Sequence, residues 1–243
     1  MRSCISVLYL ACFAVAATAR TAQDPDALYR DRDRGSNAAD AAQIWSSRLA
    51  ANASDFESAW KLARARYWLG TNGLPPPERR AALEGGMDAG RKATSLQPQR
   101  PEGHFWTAAN MGALAESFGL RQGIKYRGAI RDELEIVLKL DPAFLQGSAD
   151  RAIGRWYYKV PGMFGGSKTK SEEHLRKALA YNPQSVITHL FLAETLLELN
   201  RTADARRELE AALAAPDDAE WLPEDKRFRQ QAREQLARLP RTP

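Results

Sequence analysis

The chain has 243 residues, 44% hydrophobic and 27% charged, with 35 Lys and Arg against 30 Asp and Glu for a formal net charge of +5. That composition supports a real core in one sizeable domain or two small ones and excludes a disordered chain. Bases and acids are interspersed along the segments, which reads as a solvated surface and excludes a dedicated nucleic-acid patch.

At the start of the chain, Arg2, the apolar run from Ile5 to Ala17 and the small-x-small pattern Ala17-Thr18-Ala19 form a secretory signal over residues 1–19, with cleavage after Ala19. The run is shorter than the roughly 20 apolar residues that span a bilayer, and no later segment approaches that length. Leu10-Ala11-Cys12 partly resembles a lipobox, but Tyr9 stands where an aliphatic residue belongs and apolar residues continue beyond Cys12; membrane association would require lipidation there. Cys4 and Cys12 both lie in this segment, so the mature chain carries no thiol for a disulfide, a nucleophile or a metal. Removing residues 1–19 takes away one Arg and no acid, leaving a net charge of +4. Residues 20–38 are rich in charges and turn formers and read as a flexible N-terminal segment, a tether or a weak first helix anchored only by Leu28 and Tyr29.

From Asp40 onward apolar residues recur at three- and four-residue spacing and no β-branched run alternates as a strand would, so residues 39–240 are expected to be all-α. The periodicity predicts helices over Ala39–Ala51, Phe56–Leu69, Pro77–Leu96, Pro101–Phe118, Tyr126–Leu140, Phe144–Tyr158, Lys168–Tyr181, Gln184–Leu199, Thr202–Ala214 and Pro223–Leu239. Pro98, Pro142 and Pro183 each follow an amphipathic run, where a residue without an N–H ends one helix and helps to start the next.

Those prolines close three similar segments, Ala93-Thr-Ser-Leu-Gln-Pro98, Val137-Leu-Lys-Leu-Asp-Pro142 and Ala178-Leu-Ala-Tyr-Asn-Pro183. Each resembles the end of the second helix of a tetratricopeptide repeat, whose period is about 34 residues. The prolines lie 44 and 41 residues apart, so the period holds with insertions inside the units. The unit beginning at Val186 has none, and places Leu192, Ala193, Leu196, Ala205, Leu209 and Ala212 at the repeat's packing positions. In the first unit Trp60 and Tyr67 fit, but its second helix carries Gly86 and Gly90 in place of alanine and an aromatic. The expected architecture is a tetratricopeptide-like α-α superhelix of about four helical hairpins. Such units bury their apolar stripes only by stacking, and Phe228, Ala232, Leu236 and Leu239 on one side of the final helix suit it as a cap.

No constellation supports catalysis. Gly162-Met-Phe-Gly-Gly-Ser-Lys168-Thr169 nearly matches a phosphate-binding loop, but Ser167 replaces the last glycine and the preceding residues continue a helical pattern rather than a strand. His104, His174 and His189 lack a second ligand at metal spacing, and His104 and His189 fall at the fourth repeat position, where a large side chain packs between helices. Acidic pairs such as Glu172-Glu173 and Asp217-Asp218 are explained by helix starts and a loop. No cofactor is expected. Asn52-Ala-Ser54 and Asn200-Arg-Thr202 match the glycosylation acceptor pattern in predicted turns.

The first helices of the units concentrate aromatic residues: Trp60, Tyr67 and Trp68, then Phe105 and Trp106, then Trp156, Tyr157 and Tyr158. In this architecture first helices line the concave surface, so some rings face a groove while most belong to the core. Asn110, one turn beyond Trp106 in an apolar helix, needs partners that a groove ligand or a neighbouring carbonyl would supply. Arg155 is a candidate reader of a carboxylate. The candidate groove is therefore Trp60, Trp68, His104, Trp106, Asn110, Arg155, Trp156 and Tyr157.

The ordered motifs His104-Phe-Trp106, Ala109-Asn110-Met-Gly112, Gly119-Leu120, Gly154 to Gly162, Gly165-Gly166 and Trp221 to Lys226 resemble the T-component family of tripartite ATP-independent periplasmic transporters, TatT, over roughly Asp40 to Leu239. The resemblance implies a periplasmic protein of helical hairpins that self-associates, docks a solute-binding protein and handles a hydrophobic or organic-acid ligand. Members of that family are often lipoproteins, from which the poor lipobox departs. The eukaryotic regulators of microtubule dynamics share a similar helical module. The alternative expectation is an exported repeat scaffold for protein–protein interaction in the cell envelope.

Overall fold

The computed structural model describes residues 23–240, so the segment read above as a secretory signal, with Cys4 and Cys12, lies outside the described residues. Those residues form eleven α-helices: α1 (Pro25–Arg30), α2 (Asn37–Ala51), α3 (Phe56–Thr71), α4 (Pro76–Leu96), α5 (Pro101–Ser117), α6 (Leu120–Leu140), α7 (Phe144–Lys159), α8 (Lys168–Tyr181), α9 (Val186–Glu198), α10 (Thr202–Ala214) and α11 (Leu222–Arg238). A short 3-10 turn covers Gly162–Phe164, and no strand occurs among the described residues. Helices α3/α4, α5/α6, α7/α8 and α9/α10 pack as four hairpins, and α3, α5, α7 and α9 touch in succession as the inner layer. The all-α superhelix expected from the periodicity is the observed fold.

Local chemistry explains the punctuation. Asp55, Ser167 and Ser185 accept hydrogen bonds from the first-turn amides of Ser58, Lys170 and Thr188, satisfying donors that a helix start leaves free. Proline at the first or second helical position opens α4, α5 and α11. Asn200 turns the chain between α9 and α10 with a φ of 59°, a conformation that asparagine tolerates better than most residues.

The glycines that break the repeat pattern in α4 have a packing cause. A Cβ on Gly86 would meet Asn110 Oδ1 at 2.2 Å, and one on Gly90 would meet Thr107 Oγ1 at 2.4 Å. Two polar residues of α5 thus occupy the space that alanine side chains fill in a regular unit. Elsewhere the core is aliphatic and aromatic: one cluster runs from Tyr29 to Trp156, and a second from Leu175 to Ala232. Each fully buried leucine, such as Leu83, Leu134, Leu192 or Leu209, contributes about 2 kcal/mol of transfer free energy.

Three features differ from the sequence expectation. Helix α6 begins at Leu120 rather than Tyr126, because Gly123 and Gly128 face open space and do not interrupt it. Helix α7 opens with a kink in which Leu145, Gln146 and Gly147 all adopt positive φ. From Pro25 onward the lead-in expected to be flexible is packed: α1 buries Tyr29, and the Arg32 guanidinium is buried behind it.

The last helix does more than cap. It packs on α9 and α10 through Phe228 and Ala232, with Phe191 and Phe228 edge to face at 6.1 Å. Its first turns also return to the start of the domain. Glu224 receives a two-pronged hydrogen bond from Arg32, Lys226 pairs with Asp33 at 2.8 Å, and Arg227 donates to the Thr71 carbonyl at 3.1 Å. The open end expected of the trough is therefore bridged by the first turns of α11 and the residues before it.

Candidate functional site

One recess remains between the N-terminal helices and the connection leading into α11. On α3, Trp60 and Arg64 are four residues apart and share a face; on α5, Glu102 and Trp106 have the same spacing. Those pairs, with Tyr29 and Arg32 at the start of the domain, Phe144 and Leu145 of α7, and Glu220 and Trp221, line a cleft of about 240 Å³.

The two cleft arginines have opposite commitments. Arg32 is committed, donating four hydrogen bonds, to both Glu224 oxygens and to the carbonyls of Tyr29 and Glu220. The Arg64 side chain makes no hydrogen bond among the described residues. Its guanidinium lies over Tyr29 at 4.1 Å and Trp60 at 5.0 Å, and its carboxylate neighbours Asp26 and Glu220 stand 3.7 and 4.0 Å away. Arg64 Nε is buried without an acceptor, and so is Trp106 Nε1, on a residue only 4% exposed. Behind Trp221, Arg151 places its guanidinium 5.9 Å from the indole, and burial lowers its pKa to about 10. Facing it from α11, burial raises the Asp225 carboxyl to about 6.

Of the eight residues read as a groove, Trp60 and Trp106 line this cleft. Trp68 is buried under Arg32 at 5.3 Å. His104 bridges Glu133, at 2.5 Å from Nδ1, and the Pro98 carbonyl, at 3.0 Å from Nε2. Asn110 is sealed inside, donating to the Ala63 and Trp106 carbonyls at 3.1 and 2.7 Å. Arg155, the expected carboxylate reader, is held by Glu194 and Glu116 of its own chain. Trp156 donates to the Arg127 carbonyl at 2.8 Å and lines a shallow basin of about 450 Å³ with Lys125, Arg127, Arg131 and Phe164. Tyr157 stacks on His174 with centroids 5.5 Å apart.

Sequence reasoning missed Arg64, Tyr29, Phe144, Leu145 and Trp221. The available signal was Arg64 one turn after Trp60; the contribution of Trp221 depends on the return of the chain. The glycine-rich loop after α7 is a closed connection: Gly166 and Ser167 donate to the carbonyls of Pro161 and Tyr157, and Lys168 folds back onto the Tyr158 carbonyl at 2.6 Å. Its amides and lysine are thereby used internally. Among the described residues no group of three or more His, Cys, Asp or Glu is placed to hold a metal, and no helix is long and apolar enough to cross a membrane.

Known proteins with the same architecture confirm the repeat fold. A thermophilic TPR protein from Thermus thermophilus superposes with a TM-score of 0.66 at 20% identity, covering 88% of this chain and 95% of that one. MamA superposes with a TM-score of 0.52 at 13% identity over 86% of this chain and 98% of its own. In sequence, the regulator of microtubule dynamics protein 1 of Caenorhabditis elegans is 25% identical over 189 residues, which is 69% of this chain and 81% of the relative. A tetratricopeptide repeat model matches residues 169–222. The matching family over the N-terminal part is thus the microtubule-dynamics regulators rather than the transporter T components that the motif order resembled. With residues 22–164 matching its model, the chain belongs to the family described as regulator of microtubule dynamics protein 1-3, continued by a tetratricopeptide repeat.

Proposed function

We propose that the protein is an exported, non-catalytic scaffold that binds a segment of a partner protein in the cleft between α1, α3, α5, α7 and the connection into α11. The observation that carries this reading is a recess walled by tryptophans, two of whose lining residues, Arg64 and Trp106, carry buried donors, Nε and Nε1, that have no acceptor. Tryptophan, tyrosine and arginine are the side chains that most often dominate binding energy at protein interfaces. Repeat hairpins position them rigidly, since each unit is held by its neighbours. The signal pattern of residues 1–19 supports an extracytoplasmic setting, the periplasm or cell envelope.

The nematode relative is named for regulating microtubule dynamics. That role is not transferred at 25% identity, because function resides in the site and not in the fold. A narrower role as a transporter T component, docking a solute-binding protein, is supported by the motif order from His104 to Lys226 alone.

The test is site-specific photocrosslinking in the native host, with p-benzoylphenylalanine replacing Trp221 in the cleft or Lys139 on the outer helix α6. Partner adducts are expected from position 221 only, and Trp60→Ala should abolish them while leaving the circular dichroism spectrum unchanged. Equal adducts from both positions, or adducts indifferent to Trp60→Ala, would refute the assignment.

A further inference from the structure

We infer that the cleft receives an acidic protein segment carrying one large apolar side chain, with Arg64 reading the carboxylate and Trp106 Nε1 supplying a second donor. This rests on the cleft being the binding site proposed above.

The case begins with the contrast among arginines. Arg32 and Arg155 are both hydrogen-bonded to carboxylates of this chain, whereas Arg64 is held in place by aromatic faces and left without a hydrogen-bond acceptor. A guanidinium ordered by stacking has already lost much of its rotamer freedom, so an incoming carboxylate gains a forked, charge-assisted contact at small entropic cost. Its present counter-charges do not compete strongly. Asp26 and Glu220 lie beyond hydrogen-bonding range and their side chains are 44% and 54% exposed. Glu102, the other acid in the wall, is engaged by Arg100.

The second donor is more demanding. A buried indole N–H ordinarily finds a partner, and Trp106 Nε1 has none. Both donors call for an acceptor, and the guanidinium of Arg151 behind Trp221 makes no ion pair within the described residues. The unpartnered donors therefore favour an occupant that brings an acceptor, and the guanidinium of Arg64 favours an anionic one. Trp60, Phe144, Leu145 and Trp221 supply the apolar walls. A volume of about 240 Å³ falls below the ~300–1,000 Å³ of small-molecule pockets, which suits one large side chain beside a carboxylate and excludes a whole helix. At the mouth, Leu145 is held at a φ of 43°, a strained conformation of the kind that clusters at ligand clamps.

The test compares acetyl-Asp-Phe-Asp-amide with acetyl-Asn-Phe-Asn-amide, using phenylacetate as a small-acid control. Binding to the full mature chain is followed by the indole N–H signals in a two-dimensional NMR spectrum, the Trp106 signal being assigned as the one missing from Trp106→Phe. The acidic peptide should bind about tenfold more tightly than its amide analogue and should shift the Trp106 signal. Arg64→Met should remove that preference, and Trp106→Phe should weaken binding about threefold, with melting temperatures close to wild type. Equal affinity for the two peptides, or an unchanged preference in a folded Arg64→Met variant, overturns the inference. Phenylacetate binding as tightly as the acidic peptide also overturns the assignment to a protein segment. Adducts at position 221 that persist despite these failures would leave the cleft as the partner site and discard only its acidic preference.

Discussion

His189 has an acceptor at each ring nitrogen: Glu208 at 2.7 Å from Nδ1 and the Pro183 carbonyl at 2.9 Å from Nε2. Both bonds form together when the ring is protonated. Burial lowers its pKa, but the hydrogen bonds to Glu208 and Pro183 raise it and prevail, so the folded state holds the proton more tightly than the unfolded chain. The resulting stabilisation is complete below the unfolded value of about 6.5 and is lost as pH rises through the higher folded value. Wild type should therefore exceed His189→Gln by about 1 kcal/mol at pH 6 in thermal melts, and the gap should narrow by pH 8.5; a constant gap would show that only packing is involved. The same brace recurs at His104, which bridges Glu133 and the Pro98 carbonyl, so the packed role read from the fourth repeat position has a hydrogen-bonded form in both units. Side-chain roles that depend on a distant partner were not legible in this way. Arg155 beside aromatics in sequence resembles a ligand reader as much as Arg64 does, and only the three-dimensional placement of Glu194 and Glu116 distinguishes them.

Element positions were legible because each amphipathic helix carries its own period, and because prolines and N-cap residues mark where the period restarts. The start of α6 was hidden by Gly123 and Gly128, which lower helix propensity without facing a neighbour that would break the helix. The kink opening α7 was hidden for the opposite reason: Leu145 and Gln146 carry no sequence mark of a left-handed backbone. The cap was legible from its apolar stripe, and its energetic weight can be measured. Removing residues 216–243 uncovers α9 and α10 where Phe228 and Ala232 now pack. The truncated chain should bind a hydrophobic dye, lose solubility and melt earlier. Phe228→Ala should reproduce part of this at a cost of about 3 kcal/mol, and an unaltered melt for both variants would show that the stripe is not a stabilising contact.

At the scale of the molecule, Arg32 and Glu224 join the turn after α1 to α11 across 192 residues of sequence, and the Arg32 side chain is only 3% exposed. No local pattern announces such a pair, so the link between the two ends of the superhelix was not legible in the sequence. Losing one partner of a buried pair leaves the other charge uncompensated, so Glu224→Gln should cost about 3 kcal/mol and increase the radius of gyration in X-ray scattering. A stable variant with wild-type dimensions would show that the superhelix holds its curvature without this link. The link also changes how the domain can come apart. A linear array of hairpins has two frayed tips from which melting spreads inward unit by unit. Here the tips are stitched to each other, so the terminal amides should exchange with solvent almost as slowly as the middle ones, and unfolding should proceed as one event rather than as an unzipping.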